Sequence, residues 1–176
     1  MNSVDAKWAD LARQHEMSLG RYISLAESLE EERWRTPIGE GKWTPIEITE
    51  HLRASYEIVI DELNGGKGMK LRTKRWMRPI IRMLYLPKIL RTRQMPKNIK
   101  APAEIRPINC IEDRTAALLR LREFGELAQN AIGDRRHDPN AYATHYLLGE
   151  IKPLKGIEFL TIHLEHHTRQ LPVKDD

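Results

Sequence analysis

Apolar side chains recur at steps of three and four residues in four long stretches of this 176-residue chain. No stretch shows the sustained two-residue alternation of a strand, so the spacing predicts four amphipathic helices. They extend over residues 4–34, 44–63, 111–132 and 153–171. Four helices of this length favour an all-α fold, a four-helix bundle that forms a single domain over residues 1–176.

Short sequence signals mark the helix ends. Thr44 is a favourable N-cap for the second helix, and Pro45 is tolerated at its first position. Asn64 and the two glycines after it are expected to stop that helix. Gly133 is the predicted C-cap of the third helix, and Pro172 ends the fourth. These signals leave one long link, between the second and third helices.

The long link has a charge of its own. Between residues 65 and 103 there are 12 Lys or Arg and no Asp or Glu, while the rest of the chain has 17 basic and 25 acidic residues. Residues 74–90, KRWMRPIIRMLYLPKIL, are predicted to form one or two short helices, broken at Pro79 and Pro87. The proline-rich stretch that follows is predicted to be extended. We therefore predict a basic helical insertion over residues 65–107.

Three roles fit this basic insertion. Its apolar residues interleave with Lys and Arg, so it can cover the bundle with its apolar side inward and its basic side in solvent. It can instead bind an anionic substrate or thiol, or dock on an anionic membrane, as basic amphipathic segments do. Nucleic acid is not expected as a partner, because the sequence has no recognised nucleic-acid-binding motif.

Three histidines are candidates for one metal site. His163 and His167 are four residues apart in the fourth helix, so both project from one face. Two imidazoles placed in this way can share a cation, with bonds of about 2.0–2.1 Å. His51 lies at the edge of the apolar stripe of the second helix and is the natural third ligand, because bundles build metal sites from facing helices. Three neutral imidazoles suit zinc, nickel or iron better than magnesium or calcium.

The other histidines are weaker candidates. His166 lies about 100° around the helix from His167. His15 is on the apolar stripe of the first helix, where a histidine is more often a hydrogen-bonded core residue than a ligand. His137 and His145 are in the predicted loop before the fourth helix and are expected to be solvated, although His145 can also lie near the mouth of the bundle. An i, i+4 pair alone is often only a polar helix face, so the prediction depends on the third histidine.

Spacing excludes two peptidase motifs. HExxH needs Glu where this chain has Leu164, and HxxEH needs Glu where it has His166. Glu165 falls between the ligand positions and is expected to point away.

The chain has a single cysteine, Cys110, which excludes an internal disulfide and fits a reducing cytoplasm. We interpret Cys110 as a small buried residue rather than a nucleophile. We expect no signal peptide, because the first residues mix charges into the apolar positions.

Two motifs resemble a known family. The segment GKWTPIEITEHL at 41–52 and the segment LLGEIKPLKGIEFLTIHLEHHTRQL at 147–171 resemble the DinB-like superfamily of metal-binding four-helix bundles. That family starts its second helix with Trp–Ser/Thr–Pro followed by a histidine, and ends its fourth helix in HxxxH, often with Gln. Matched position by position, the resemblance implies that the metal ligands are His51, His163 and His167. It also implies a DinB-like bundle and a homodimer.

The resemblance implies a fold and a metal more directly than a reaction. Family members described as enzymes include thiol-dependent S-transferases, isomerases acting with a low-molecular-weight thiol, and metal-dependent hydrolases. A tri-histidine cation with open positions can activate water for hydrolysis, or a cosubstrate thiol for S-transfer to a small substrate.

Two residues near the ligand positions are candidates for supporting roles. Glu47, one turn before His51, can orient that histidine or act as a base, although an exposed position is favoured. Gln170, one turn beyond His167, is a candidate ligand contact. The alternative to an enzyme is a non-catalytic stress-response or binding protein that associates with anionic membrane through the basic insertion.

Overall fold

The computed structural model describes residues 3–96 and 99–172, and helices dominate this part of the chain. In chain order the elements are α1 (Ser3–Glu27), α2 (Glu31–Arg35), α3 (Pro45–Leu63), α4 (Met77–Thr92), a 3-10 turn (Ala103–Ile105), α5 (Arg114–Asp134), β1 (Ala143–His145), β2 (Gly149–Ile151) and α6 (Pro153–Thr168). The predicted all-α fold class is confirmed. The predicted domain boundaries, and Lys97 and Asn98 of the predicted insertion, lie outside the described residues. None of the described helices combines the length and the apolar character of a membrane span.

Four long helices share one apolar core. α1 packs against α5 and α6, and α3 packs against α5. The side chains at the centre are almost completely buried, among them Ile48, Leu121, Ile157 and Leu164. Burying each of these side chains contributes roughly 1.5–3 kcal/mol relative to leaving it exposed. The core therefore fixes the positions of α3 and α6, the two helices that carry the candidate ligands.

The first predicted helix is divided in the structure into α1 and α2. The Ser28 hydroxyl donates a hydrogen bond to the Leu25 carbonyl (2.8 Å) at the end of α1. The guanidinium of Arg114 donates to the Leu29 carbonyl in the turn between the helices. These side chains replace helical hydrogen bonds, so the chain can turn there and bury Trp34 completely. The apolar spacing continues across the turn, which is why the sequence predicts one helix.

The basic insertion contains one continuous helix, α4. It passes through Pro79 and Pro87, so the predicted breaks at these prolines are wrong. Pro79 is in the first turn, where a backbone N–H has no acceptor within the helix. The helix continues past Pro87 because Leu86 and Ile89 are buried in a second apolar cluster with Phe159 of α6. α4 therefore lies against α6 and β2.

Gly133 is not the C-cap that the sequence predicts. α5 continues to Asp134, and its cap residue is Arg135, with a φ of −98°. Gly133 lies directly under the Trp8 ring of α1, because a Cβ atom added to it would be 2.7 Å from a ring carbon of Trp8. The absence of a side chain at this position lets the two helices approach each other.

A short hairpin precedes α6. β1 pairs antiparallel with β2, and Gly149 has a φ of 72° at the end of the turn between them. Strands of three residues are too short to show a two-residue period, so the sequence does not predict them. The hairpin places the ring of His145 beside Phe159 of α6, with 5.2 Å between the ring centroids.

Candidate metal centre

Three histidine rings from α3 and α6 meet inside the bundle. His51 is on α3, and His163 and His167 are one turn apart on α6. The Nε2 atom of His163 is 3.0 Å from Nε2 of His51 and 3.1 Å from Nε2 of His167. The structure thus brings together the three histidines that the sequence singles out, and the group can hold a metal ion.

Two of these rings are oriented by hydrogen-bond acceptors at their other nitrogen. His51 Nδ1 donates to the Ile105 carbonyl (2.7 Å), and His167 Nδ1 donates to Gln170 Oε1 (2.7 Å). A carbonyl oxygen can only accept, so each Nδ1 carries the proton and each Nε2 keeps a free lone pair. Metal-binding histidines are typically held in this way. The sequence offers Gln170 as a ligand contact, but it does not predict Ile105.

The two Nε2 separations from His163 fit one divalent cation. Ligands bound at about 2.0–2.1 Å to a tetrahedral ion are roughly 3.3 Å apart. The separations from His163 are close to this, at 3.0 and 3.1 Å. Without a cation, a proton on His163 Nε2 can be donated to only one of its two neighbours. A metal ion would satisfy all three nitrogens at once, so the residues present fit a bound cation.

Burial keeps the three imidazoles neutral. Removal from water lowers the pKa of His51 to about 4 and lowers the pKa of His163 and His167 well below the ordinary histidine value. Repulsion between neighbouring histidine charges lowers the pKa of His163 further. At neutral pH the rings are therefore uncharged, which is the form that binds metals.

A cavity of about 590 Å³ opens beside the three histidines. Its wall is formed by α3, α4, α6, the hairpin and the chain that leads into the 3-10 turn. α4 turns apolar side chains toward it, including Met77 and Ile81. The volume lies within the ~300–1,000 Å³ range of small-molecule pockets. The centre is therefore open to a small molecule from one side.

Four further histidines, His15, His137, His145 and His166, lie outside the cluster. His15 is the buried core residue that the sequence predicts, hydrogen-bonded through both ring nitrogens. His137 is exposed and pairs with Asp5. His166 lines the cavity, and its Nε2 is 3.0 Å from the Gln170 amide nitrogen. It therefore supports the residue that orients His167.

His145 is not the solvated loop residue expected from the sequence. Its Nδ1 accepts hydrogen bonds from the backbone N–H groups of Leu147 (3.3 Å) and Leu148 (3.2 Å). Its ring packs between Tyr146 and Phe159, and burial lowers its pKa to about 4. The hairpin brings this ring to the cavity wall.

The acidic and thiol candidates do not join the cluster. Glu47 accepts a hydrogen bond from the backbone N–H of Thr44 (2.7 Å) in a capping box, which confirms Thr44 as the N-cap of α3. The role of orienting His51 belongs to a backbone carbonyl instead. Glu165 pairs with Arg93 (3.0 Å), as expected for a side chain that points away. Cys110 is half-buried, and burial raises the pKa of its thiol, which keeps the thiol protonated at neutral pH.

Comparison with known proteins identifies a family. A family model described as the DinB superfamily matches residues 14–171, which is most of the chain. The resemblance indicated by the motifs at 41–52 and 147–171 is therefore confirmed. Searches among curated proteins and among solved structures gave no match.

Proposed function

The chain belongs to the DinB superfamily, and on this basis we propose that it is a metal-dependent enzyme. In this proposal His51, His163 and His167 hold a divalent cation. Zinc and nickel are the most suitable ions, and iron is also compatible with three imidazoles. The observation that carries the proposal is the convergence of the Nε2 atoms of three buried histidines beside a cavity of small-molecule size.

The chemistry follows from the neutral charge of the ligands. Bound there, the cation would lower the pKa of a coordinated water or thiol toward neutrality. Three neutral imidazoles cancel none of the positive charge that produces this effect. Ile105 and Gln170 keep two of the rings in the required tautomer and orientation. The cavity wall then positions a substrate beside the three nitrogens.

Hydrolysis is the reaction that the cavity favours. No Lys, Arg, Asp or Glu is among the described residues that line it. The low-molecular-weight thiols that serve S-transferases, such as glutathione, bear charged groups that need partners in a binding site. Water as the nucleophile needs no such partners. We therefore place hydrolysis of a small substrate first and thiol S-transfer second.

Metal occupancy tests the proposal directly. Protein purified without a metal-affinity tag should contain zinc or nickel by elemental analysis, and His51→Ala, His163→Ala and His167→Ala should each lose most of it. His137→Ala is the control, because it removes an exposed histidine that lies outside both the cluster and the cavity. Occupancy below about 0.2 ions per chain that added zinc or nickel does not restore would contradict the proposal.

Activity assays separate the two reactions. Metal-loaded protein should hydrolyse uncharged p-nitrophenyl esters of short acids, and His163→Ala should be inactive under the same conditions. Turnover of an electrophilic acceptor that depends on added glutathione would instead support S-transfer.

Binding to an anionic membrane is a second candidate function, favoured by the outward side of α4. Trp76, at the start of this helix, is 68% exposed, and Met83 is 69% exposed. Ile80 and Leu84 are exposed on the same face. The surrounding segment, residues 65–103, has 12 basic and no acidic residues. Exposed apolar side chains among basic ones on one helix are typical of interfacial helices.

Vesicle flotation tests this second candidate. The protein should float with phosphatidylglycerol vesicles but not with phosphatidylcholine vesicles, and high salt should release it. Met83→Glu should abolish flotation. Leu119→Glu is the control, because Leu119 is similarly exposed, at 61%, but lies on α5. Equal flotation of the two variants would exclude α4 as the membrane-binding face.

A further inference from the structure

We infer that the cavity binds an uncharged, largely apolar substrate with one hydrogen-bond acceptor, such as an ester or amide carbonyl, and that His145 donates the hydrogen bond to this acceptor. The inference names the substrate class of the proposed enzyme and rests on that proposed function. It comes from the chemistry of the cavity wall and from the hydrogen bonds of one histidine.

The cavity wall has no charged side chain among its described residues and few free polar groups. Ser55 Oγ donates to the backbone carbonyl of His51 (2.7 Å). Thr144 Oγ1 donates to the Glu62 carboxylate. Hydroxyls engaged in this way have no proton left to donate to a ligand. A charged substrate would therefore lose its hydration without gaining a partner, whereas an apolar body would gain contacts throughout the cavity.

His145 is a polar residue of this wall whose ring is held by backbone hydrogen bonds. Its Nδ1 accepts two backbone N–H groups, from Leu147 and Leu148, so that nitrogen has no room for a proton of its own. The neutral ring must therefore carry its proton on Nε2.

The Nε2–H group of His145 is free to bind a ligand. This nitrogen has no hydrogen-bond partner among the described residues. Within the described part of the chain, every fully buried side-chain nitrogen or oxygen has a hydrogen-bond partner. Because Nε2 of His145 has none, this atom is not fully buried. The residue itself lines the cavity. The result is a donor of fixed direction on a wall with few other free polar groups.

Packing holds the His145 ring in this orientation. The ring is 4.6 Å from the Tyr146 ring and 5.2 Å from the Phe159 ring, measured between centroids. A carbonyl oxygen that accepts from Nε2–H would lie in the same cavity as the three clustered histidines. A neutral imidazole in this position polarises the carbonyl without placing a second cation near the metal centre.

The apolar part of the inference is tested with N-phenyl-1-naphthylamine, an uncharged fluorescent probe, on metal-free protein. Gly156 of α6 lines the cavity, and an added Cβ atom would meet nothing within 4 Å, so Gly156→Leu should place an apolar side chain in the cavity. Its affinity for the probe should fall about tenfold or more. Gly20→Leu is the matched control, because Gly20 is also helical and unobstructed but lies away from the cavity. Equal probe binding by the two variants would overturn the assignment of the cavity.

The donor part is tested with octanamide, which competes with the probe and presents a carbonyl acceptor. His145→Phe keeps an aromatic ring and removes the donor, so the affinity for octanamide should fall about tenfold while that for the probe stays unchanged. His145→Gln should recover part of the loss, because an amide can accept the backbone N–H groups and still donate. A similar loss for octanamide and probe in His145→Phe would indicate packing alone and would overturn the donor role.

Octanoate has the same chain as octanamide with a negative charge, so it tests the charge preference on metal-free protein. Octanoate that binds as tightly as octanamide would overturn the uncharged substrate class.

Elemental analysis of reconstituted samples separates this inference from the proposed function. Metal-replete protein that binds neither probe nor octanamide would overturn the inference alone. Protein that binds both ligands but takes up no metal would overturn the proposed function alone.

Discussion

Ile105 and Gln170 each accept a hydrogen bond from an Nδ1 atom and thereby direct an Nε2 lone pair into the histidine cluster. The three clustered histidines can be predicted from the sequence, because an i, i+4 pair and a position on an apolar stripe are local patterns. Ile105 cannot be predicted in this way. It acts through its backbone carbonyl, which every residue type has, and it comes from a different segment of the chain.

Loss of the Gln170 side chain should weaken metal binding without removing a ligand. In Gln170→Ala the Nδ1–H of His167 loses its acceptor, and the loss of such a partner typically costs 10–100-fold in metal affinity. We expect a decrease of about tenfold or more in a competitive titration with a chelator. Gln170→Glu keeps an acceptor and should retain most of the affinity. Gln14→Ala, on the surface of α1, is the control. If Gln170→Ala and Gln14→Ala bound the metal with equal affinity, Gln170 would not orient His167.

His15 should make the stability of the fold depend on pH. Burial lowers its pKa to about 4, from the ordinary value of 6.5. As the pH falls from about 6.5 to about 4, the unfolded chain takes up a proton that the folded protein does not, so stability is lost over this interval. Between pH 7 and pH 5, metal-free wild-type protein should lose about 2 kcal/mol more unfolding free energy than His15→Gln.

Urea unfolding of the two proteins at several pH values measures this difference. The other buried histidines are present in both proteins, so their contributions cancel in the comparison. Parallel pH profiles for wild-type protein and His15→Gln would show that His15 takes up its proton equally easily in the folded and unfolded states.

At the scale of the helices, glycine has opposite roles at two positions. A Cβ atom on Gly133 would be 2.7 Å from the Trp8 ring, so Gly133→Ala must displace this ring from α5 and should destabilise the fold by about 1–3 kcal/mol. A Cβ atom on Gly20 would meet nothing within 4 Å, so Gly20→Ala should stabilise α1 by about 0.5–1 kcal/mol. Urea midpoints measure both effects. Shifts in the same direction would contradict the close approach at Gly133.

The helices were predictable from the sequence to different degrees. The repeating apolar positions of α3, α5 and α6 indicate their existence and approximate ends. The division between α1 and α2 is not predictable, because it depends on Arg114, a residue of α5 that reaches the turn. The continuity of α4 past Pro87 is also not predictable, since it depends on packing against Phe159. Local patterns thus predict helices, while contacts between segments decide their breaks.

At the scale of the whole molecule, removal of a metal ion held by the three clustered histidines should lower stability, because these histidines join α3 to α6. A ligand that binds only the folded protein, at 100 times its dissociation constant, adds about 2.7 kcal/mol to the unfolding free energy. Thermal unfolding of metal-loaded protein should therefore shift to lower temperature on addition of a chelator and recover with excess zinc or nickel. His163→Ala should show no such shift. A chelator effect of equal size in His163→Ala would indicate that the stabilising ion binds elsewhere.

The cavity is a property of the whole fold and cannot be predicted from local sequence. Its wall combines Met77 of the basic insertion, His145 of the hairpin and Phe159 of α6. No local pattern relates these positions. The hairpin strands are too short to be recognised from the sequence, and the position of the insertion depends on where its apolar side packs against the bundle. The sequence predicts a metal site and a cover for the bundle. The side chains that form the cavity wall depend on how these segments pack together.

The hydrogen bond from His51 to Ile105 links two parts of the molecule thermodynamically. Ile105 lies near the end of the basic insertion, while His51 is in the bundle. An event that moves this end of the insertion would displace the acceptor of His51 and so change the orientation of one of the three clustered histidines. Linkage is reciprocal, so a surface that alters metal affinity by some factor must have its own affinity altered by the same factor when the metal binds. The affinity for the metal would then depend on whether the protein is bound to the surface. The affinity for the surface would likewise depend on whether the metal is bound.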